Sequence, residues 1–132
     1  MKKNSLDISA SIKWLESGKI LIHPTESIWG LGCDAFNKKA VENIFAIKKR
    51  DQKKSFILLC ESLDFLKEYA DKIAKEDEIL LNETWPGAVT FLVKYNNKLP
   101  EHLKTSSGKI AVRVSNHLPL KHLIAGFKSF MV

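Results

Sequence analysis

Cysteine is scarce in this chain: Cys33 and Cys60 stand far apart and form no Cys-x-x-Cys pair, which argues against a disulfide framework or a thiolate zinc site. Both are expected as small buried apolar residues. Histidine offers little more. His23, His102, His117 and His122 show no His-Glu-x-x-His spacing, and neither a Gly-x-Ser-x-Gly elbow nor a Walker A loop occurs, so metalloprotease, serine hydrolase and P-loop NTPase readings are disfavoured. No apolar run approaches a membrane span, and the start Met1-Lys2-Lys3-Asn4-Ser5-Leu6-Asp7 has no signal-peptide core behind it. A cytoplasmic protein with no membrane association is the expectation. Repeats, low-complexity tracts and linkers are also missing.

What is present fits one domain: 132 residues, 45% hydrophobic and 27% charged, are enough to bury a core without metal or disulfide staples. Lys and Arg number 21 against 15 Asp and Glu, a formal net charge of +6, which favours nucleic acid or nucleotides as partners. The charge is concentrated. In Lys48-Lys49-Arg50-Asp51-Gln52-Lys53-Lys54 five of seven residues are cations, set between a helical pattern and a strand-like run. They either close the preceding helix, where cations favour the dipole, or converge on phosphates, Arg by a planar fork and Lys as a movable point charge.

Along the chain, Ile8, Ile12 and Leu15 recur at helical spacing up to Gly18, a left-handed stop. Lys19-Ile20-Leu21-Ile22 reads as a buried strand halted by His23-Pro24, and the polar, then Gly-rich stretch to Ala35 reads as a site-building loop. Within it Gly30-Leu31-Gly32-Cys33-Asp34-Ala35 matches a relaxed dinucleotide pattern, but Asp34 would face the pyrophosphate and no clean strand leads in. Asn37 caps a helix through Val41, Ile44 and Phe45, with Phe36 and Val41 placed as a hydrophobic staple. The run from Ser55 to Cys60 reads as a strand, Ser62 as the cap of a helix through Leu63 and Leu66, and Ile73 to Glu83 as another helix, ending before Trp85-Pro86-Gly87. Trp85 reads as a packed corner. Strands follow at Ala88 to Val93 and Ile110 to Val114, with a polar turn holding Asn96, Asn97 and Pro100 between them. Arg113 inside the second strand faces either solvent or a site. Pro119 opens a last helix over Leu120, Leu123 and Ile124, Gly126 is expected to stop it, and Phe130-Met131-Val132 begins a strand. The sum is one α/β domain with a mixed sheet.

Four motifs in order then carry a resemblance: His23-Pro24-Thr25-Glu26-Ser27-Ile28-Trp29-Gly30-Leu31-Gly32-Cys33-Asp34, Lys48-x-Arg50, Trp85-Pro86-Gly87-Ala88-Val89-Thr90 and Ile110-Ala111-Val112-Arg113-Val114. Together they resemble the YrdC/Sua5 family of threonylcarbamoyl-AMP synthases. The resemblance implies the YrdC/RibB-like α/β fold, a twisted, largely parallel sheet surrounded by helices, with a basic concave surface similar to RNA-binding surfaces. It implies a nucleotidyltransferase reaction in which L-threonine, bicarbonate or CO2, and ATP become threonylcarbamoyl-AMP and pyrophosphate. Partner proteins then transfer the threonylcarbamoyl group to tRNA, giving N6-threonylcarbamoyladenosine. By position, Lys48 and Arg50 match the Lys-x-Arg pair taken as catalytic and ATP-binding, Lys54 a further ATP contact, Thr25 a threonine contact, and Arg113 the holder of the threonine carboxylate. Mg²⁺ is expected on the ATP phosphates rather than on protein ligands. Cations clustered against several anions, with no evident nucleophile, suit a reaction in which the carbamate itself attacks the α-phosphate.

The chain also departs from the family. Ala88 follows Trp-Pro-Gly where proline is usual, Asp51 follows the Lys-x-Arg pair where proline is frequent, and Leu59 stands about where longer relatives carry a histidine. The family's Ser/Thr-Ser-Ala-Asn motif does not follow Val132, so the chain reads as a YrdC-like domain over residues 1–132 without its C-terminal part. Two other readings stay beside the enzyme: a non-catalytic relative that binds tRNA or double-stranded RNA, and a carbamoyl-adenylate-forming relative of hydrogenase maturation.

Overall fold

The computed structural model describes residues 7–24, 29–48, 57–87, 89–127 and 129–132. Helix α1, Ile8–Glu16, begins where the Asp7 carboxylate accepts the Ala10 N–H at 3.0 Å, satisfying one of the orphan donors of a first turn. Gly18 at φ +83° lets the chain leave it. The expected strand after Gly18 lies two residues later, as β1, Leu21–Pro24. It is half of a hairpin, pairing antiparallel with β2, Trp29–Gly32. Two expectations are corrected here: Gly30-Leu31-Gly32 is strand rather than loop, and Ile22 is 64% exposed, so β1 is no buried strand. Pro24 sits at the end of the pairing, where its missing donor costs little.

Asn37 does cap the next helix: its Oδ1 accepts the Ala40 N–H at 3.0 Å, and α2 follows as Lys38–Lys48. Strand β3 is Ile57–Leu59. The Ser62 hydroxyl accepts the Phe65 N–H at 3.2 Å to start α3, Leu63–Lys67, and α4 is Lys75–Thr84, beginning two residues after the expected Ile73. Strand β4, Phe91–Lys94, a single 3-10 turn, Glu101–Leu103, strand β5, Lys109–Arg113, and α5, Leu118–Phe127, complete the order.

Three strands form a sheet in the order β3-β5-β4, with β3 parallel and β4 antiparallel to β5. The expected C-terminal strand is realised by Met131, which bridges Leu59 of β3 on one side and Asp34, just beyond β2, on the other. Backbone bonds hold it there: Leu59 N–H to Met131 O at 2.7 Å, Met131 N–H to Leu59 O at 2.8 Å, Ala35 N–H to Phe130 O at 3.0 Å and Val132 N–H to Cys33 O at 3.2 Å. The sheet is therefore mixed, as the residue pattern led one to expect, while the largely parallel sheet implied by the resemblance is not found among the described ladders. Among the described ladders only β3–β5 is parallel.

Alternation assigns the two faces. Leu58, Cys60, Ile110, Val112, Val114, Phe130 and Cys33 meet α2, α3 and α4 in the larger core. Leu59 and Met131 point the other way, into a smaller core with Leu15 of α1 and Leu120, Leu123, Ile124 and Phe127 of α5. Gly126 does not stop α5, which runs on to Phe127. Its role is proximity: a Cβ at Gly126 would lie 2.8 Å from Ile12 Cδ1, so the absent side chain is what lets α5 approach α1.

Candidate functional site

The α1–α5 layer covers only part of its sheet face. Along β5 the residues on that face are Lys109, Ala111 and Arg113; Ile57 and Leu59 lie opposite Ala111 and Arg113 on β3, and Leu92 and Lys94 opposite Ala111 and Lys109 on β4. Leu59 is buried at 7%, whereas Ile57 is 50% and Leu92 70% exposed. Beyond Leu59 the face is open. Its charged residues on β4 and β5 are all cations: Lys94, Lys109 and Arg113.

Arg113 ends β5 at the C-terminal end of the parallel pair, half-buried and level with Leu59, Met131 and Asp34 in one cross-strand row. The C-terminal ends of parallel strands are where open α/β sheets place ligands. The row is anchored on both sides. Cys60 N–H donates to Arg113 O at 3.2 Å, and one residue on, the Val114 carbonyl accepts the Gly87 N–H at 2.8 Å. The Trp85-Pro86-Gly87 motif is thereby fastened to the strand that carries Arg113. Trp85 itself is a packed corner, as expected: it is 8% exposed, stands edge-on to Phe91 at 5.5 Å, and donates Nε1–H to Val89 O at 2.8 Å. At the other end of the row Asp34 accepts from Phe36 N–H at 2.9 Å and Ser129 Oγ–H at 3.1 Å. It works as a structural anchor.

Two polar residues that sequence reasoning passed over lie just past Arg113. Ser115 is 1% exposed and its hydroxyl accepts the His117 N–H at 3.1 Å, while the His117 carbonyl accepts the Lys121 N–H at 2.8 Å in the first turn of α5. His117 Nε2 is buried with no hydrogen-bond partner among the described residues. A serine and a histidine just before a proline-led helix were a visible capping signal; the buried nitrogen was not.

The other expected site residues are not brought into view. Thr25, Arg50 and Lys54 lie outside the described residues, and Lys48 is described only as the last residue of α2. Their flanks are in place. Thr25 falls between Pro24 and Trp29, the closing pair of the hairpin, and Arg50 and Lys54 fall between α2 and β3. Because Met131 runs antiparallel both to Asp34 and to Leu59, β2 with its extension runs parallel to β3. The cysteines sit on the opposite, closed face, fully buried, with desolvation pushing both thiols up to about 12. They belong to the core.

Comparison with known proteins accounts for the pattern. The profile of the Sua5/YciO/YrdC family, described by the words telomere recombination, matches residues 13–132. The chain belongs to this family. It is 37% identical over 122 residues to the threonylcarbamoyl-AMP synthase of Pseudoalteromonas translucida, an alignment covering 91% of this chain and 65% of that protein. The corresponding protein of Pseudomonas fluorescens is 34% identical over 128 residues, with the same coverages of 91% and 65%. The chain thus spans just under two thirds of the length of these relatives. Among solved structures, P. abyssi Sua5 complexed with L-threonine superposes with a TM-score of 0.85 at 28% identity, over 94% of this chain and 36% of that one. E. coli YciO gives 0.81 at 26%, over 94% and 60%. The Sua5/YciO/YrdC fold expected from the four motifs is therefore the fold of this chain.

Proposed function

We propose that this Sua5/YciO/YrdC member is a threonylcarbamoyl-AMP synthase, a nucleotidyltransferase that consumes L-threonine, bicarbonate or CO2, and ATP. The observation that carries the reading is Arg113, a half-buried residue at the end of β5 on an open, cationic sheet face. Its planar fork suits a carboxylate, and threonine offers one. The relatives' name and the threonine-bound neighbour support the same substrate.

In this reading Arg113 holds the threonine carboxylate and Thr25 a polar group of the same molecule, which leaves the amine to take up CO2 as a carbamate. A carbamate oxygen attacks the α-phosphorus of ATP; the new P–O bond forms as the bond to the bridging oxygen breaks, and pyrophosphate leaves with the electron pair. Lys48, Arg50 and Lys54 are assigned to the triphosphate, where cations offset the negative charge gathered in one cleft. Mg²⁺ enters with the ATP phosphates, since this ion usually takes few protein ligands. Among the described residues no group of three or more His, Cys, Asp or Glu side chains is placed to hold a metal.

The product is expected to serve tRNA modification through partner proteins in the cytoplasm. No helix among the described residues is long and apolar enough to cross a membrane. The test is formation of threonylcarbamoyl-AMP from ATP, bicarbonate and threonine, with Arg113→Ala beside it. Product that requires threonine and is lost in the variant supports the assignment. Absence of product while tRNA or double-stranded RNA still binds would instead identify a binding relative, and threonine-independent carbamoyl-adenylate would overturn the substrate.

A further inference from the structure

A cavity lies not over Arg113 but around the outer edge of β4. It measures about 370 Å³, and its walls are the 71–74 segment, α4 through Asp77, Leu80 and Leu81, and β4 itself, with Lys109 at the rim. Its origin is a strand pairing that stops too soon. Asp71 N–H donates to Lys94 O at 2.8 Å and Asn96 N–H to Tyr69 O at 2.9 Å, so residues 69–71 line the outer edge at the end of β4. The chain then turns away into α4, which begins at Lys75. The wedge left behind is open beside Leu92 and closed at Lys94.

The strand's hydrogen-bond phase says what that wedge offers. Tyr95 N–H points inward, to Gly108 O at 3.3 Å, so by alternation the amide and carbonyl of Leu92 point outward, into the gap. Apolar walls flank them: Leu92 is 70% and Leu80 49% exposed, above Leu81, Phe91 and Ile73. The closed end is cationic. Lys94 and Lys109 are direct cross-strand partners on one face, and by the same phase they form the closer, non-hydrogen-bonded kind of pair, where like charges destabilise each other. Neither forms an ion pair among the described residues. Lys72 adds a third cation to the lining; of the two carboxylates there, Asp71 accepts the Lys72 N–H at 2.9 Å and Asp77 stands on the helix wall.

We propose that this wedge is a docking site for the C-terminus of a partner polypeptide ending in an apolar residue. An incoming strand continues the edge begun by residues 69–71, exchanges hydrogen bonds with Leu92, and places its last side chain between Leu80 and Leu92. A strand running through would collide with residues 69–71. A chain that ends there brings a carboxylate to the opposed lysines and relieves their repulsion. Strand addition at a sheet edge supplies the main-chain bonds, and the pocket supplies the specificity.

The test is an amide-resolved NMR titration of the full chain with an acetylated Gly-Ser-Gly-Val-Leu peptide carrying a free carboxylate, run against its C-terminal amide. The acid is expected to saturate with shifts centred on the Leu92 and Leu80 amides, and the amide to bind about tenfold more weakly. Lys94→Gln and Lys109→Gln are expected to weaken the acid severalfold and leave the amide peptide unchanged. Equal binding of acid and amide, shifts centred elsewhere, or no saturable binding would each overturn the proposal. So would acetate or free leucine reproducing the same shifts at the same concentrations, since the site would then recognise a small carboxylate. None of these readouts involves turnover, so failure here is separate from failure of the synthase reading.

Discussion

Arg113 is a side chain whose value depends on where its strand stops. One residue earlier on β5 it would take the place of Val112 in the larger core; as it is, it stands on the open face with Lys109 and Ala111. If it holds the threonine carboxylate, Arg113→Ala should raise the KM for threonine by about a hundredfold, the range expected for losing charge-assisted hydrogen bonds worth about 2–3 kcal/mol. The KM for ATP should move far less. Arg113→Lys keeps the charge but not the fork and should recover only part of the loss; steady-state kinetics with each substrate varied in turn would decide, and an equal rise in both KM values would count against the assignment. The cysteines give the opposite kind of residue. Burial pushes Cys33 and Cys60 from 9.0 up to about 12, with the Asp34 and Glu61 charges adding to it respectively. Native protein at pH 8 should therefore leave both thiols unreacted toward an aromatic disulfide reagent, and both should react in denaturant. The sign for stability follows. Below pH 9 folded and unfolded thiols are both protonated and contribute no slope; between 9 and 12 only the unfolded thiols ionise, so each should lower the unfolding free energy by about 1.4 kcal/mol per pH unit. Cys33→Ala and Cys60→Ala should each flatten that alkaline fall in urea-unfolding free energy.

At the scale of elements, Gly126 shows how a residue can be read correctly as unusual and wrongly as to cause. A glycine near the end of a helical pattern signals a stop, yet α5 continues past it because what glycine provides there is contact with α1, 2.8 Å from a would-be Cβ to Ile12 Cδ1. Gly126→Ala gains up to about 1 kcal/mol of helix propensity and loses about 1–3 kcal/mol to overpacking, a net destabilisation of about 1 kcal/mol. Ile12→Val removes the atom that is struck, so the double variant should be more stable than Gly126→Ala alone. A urea-unfolding cycle over the four proteins measures the coupling, and additivity would rule out the contact. Elements announced by capping chemistry were legible from sequence: Asn37 and Ser62 each accept the expected backbone N–H, and α2 and α3 begin where they should. The hairpin was not legible. Its β2 is Trp-Gly-Leu-Gly, poor in β-branched residues and rich in turn signals, and it is strand because β1 pairs with it along its whole length. The candidate site divides in the same way. Arg113 stood out as a charge in an apolar strand, but the β4 edge cavity arises from where residues 69–71 leave the sheet, a tertiary event with no local signature.

At the scale of the molecule, the two halves of the sheet meet through Met131. Among the described residues, the β1–β2 hairpin and its extension through Asp34 and Ala35 reach β3 by way of the segment around that residue, which bridges Asp34 on one side and Leu59 of β3 on the other and is fully buried in the core of α1 and α5. The bonds involved join Cys33 and Ala35, Leu59, and the segment Phe130 to Val132, so closing this part of the sheet brings together segments far apart in the sequence. Met131→Pro keeps an apolar side chain but removes the N–H that donates to Leu59 O at 2.8 Å; a proline inside a two-sided ladder is among the least tolerated substitutions. The expected result is a loss of about 3 kcal/mol or more. That is a large part of the roughly 5–15 kcal/mol that holds a domain together. Met131→Leu, which keeps both the amide and nearly the volume, should cost less than about 1.5 kcal/mol. Amide hydrogen exchange separates a local from a global effect: if Met131 is the seam, protection in Met131→Pro should fall together at Ala35, Leu59 and Val132 while Tyr95 and Asn96, bonded at the far edge of the sheet, keep more of theirs. Uniform loss at all five amides would mean instead that the sheet unfolds as one unit, and unchanged protection at Leu59 would show that the hairpin is held by its contacts with α1 and α5 rather than by the ladder.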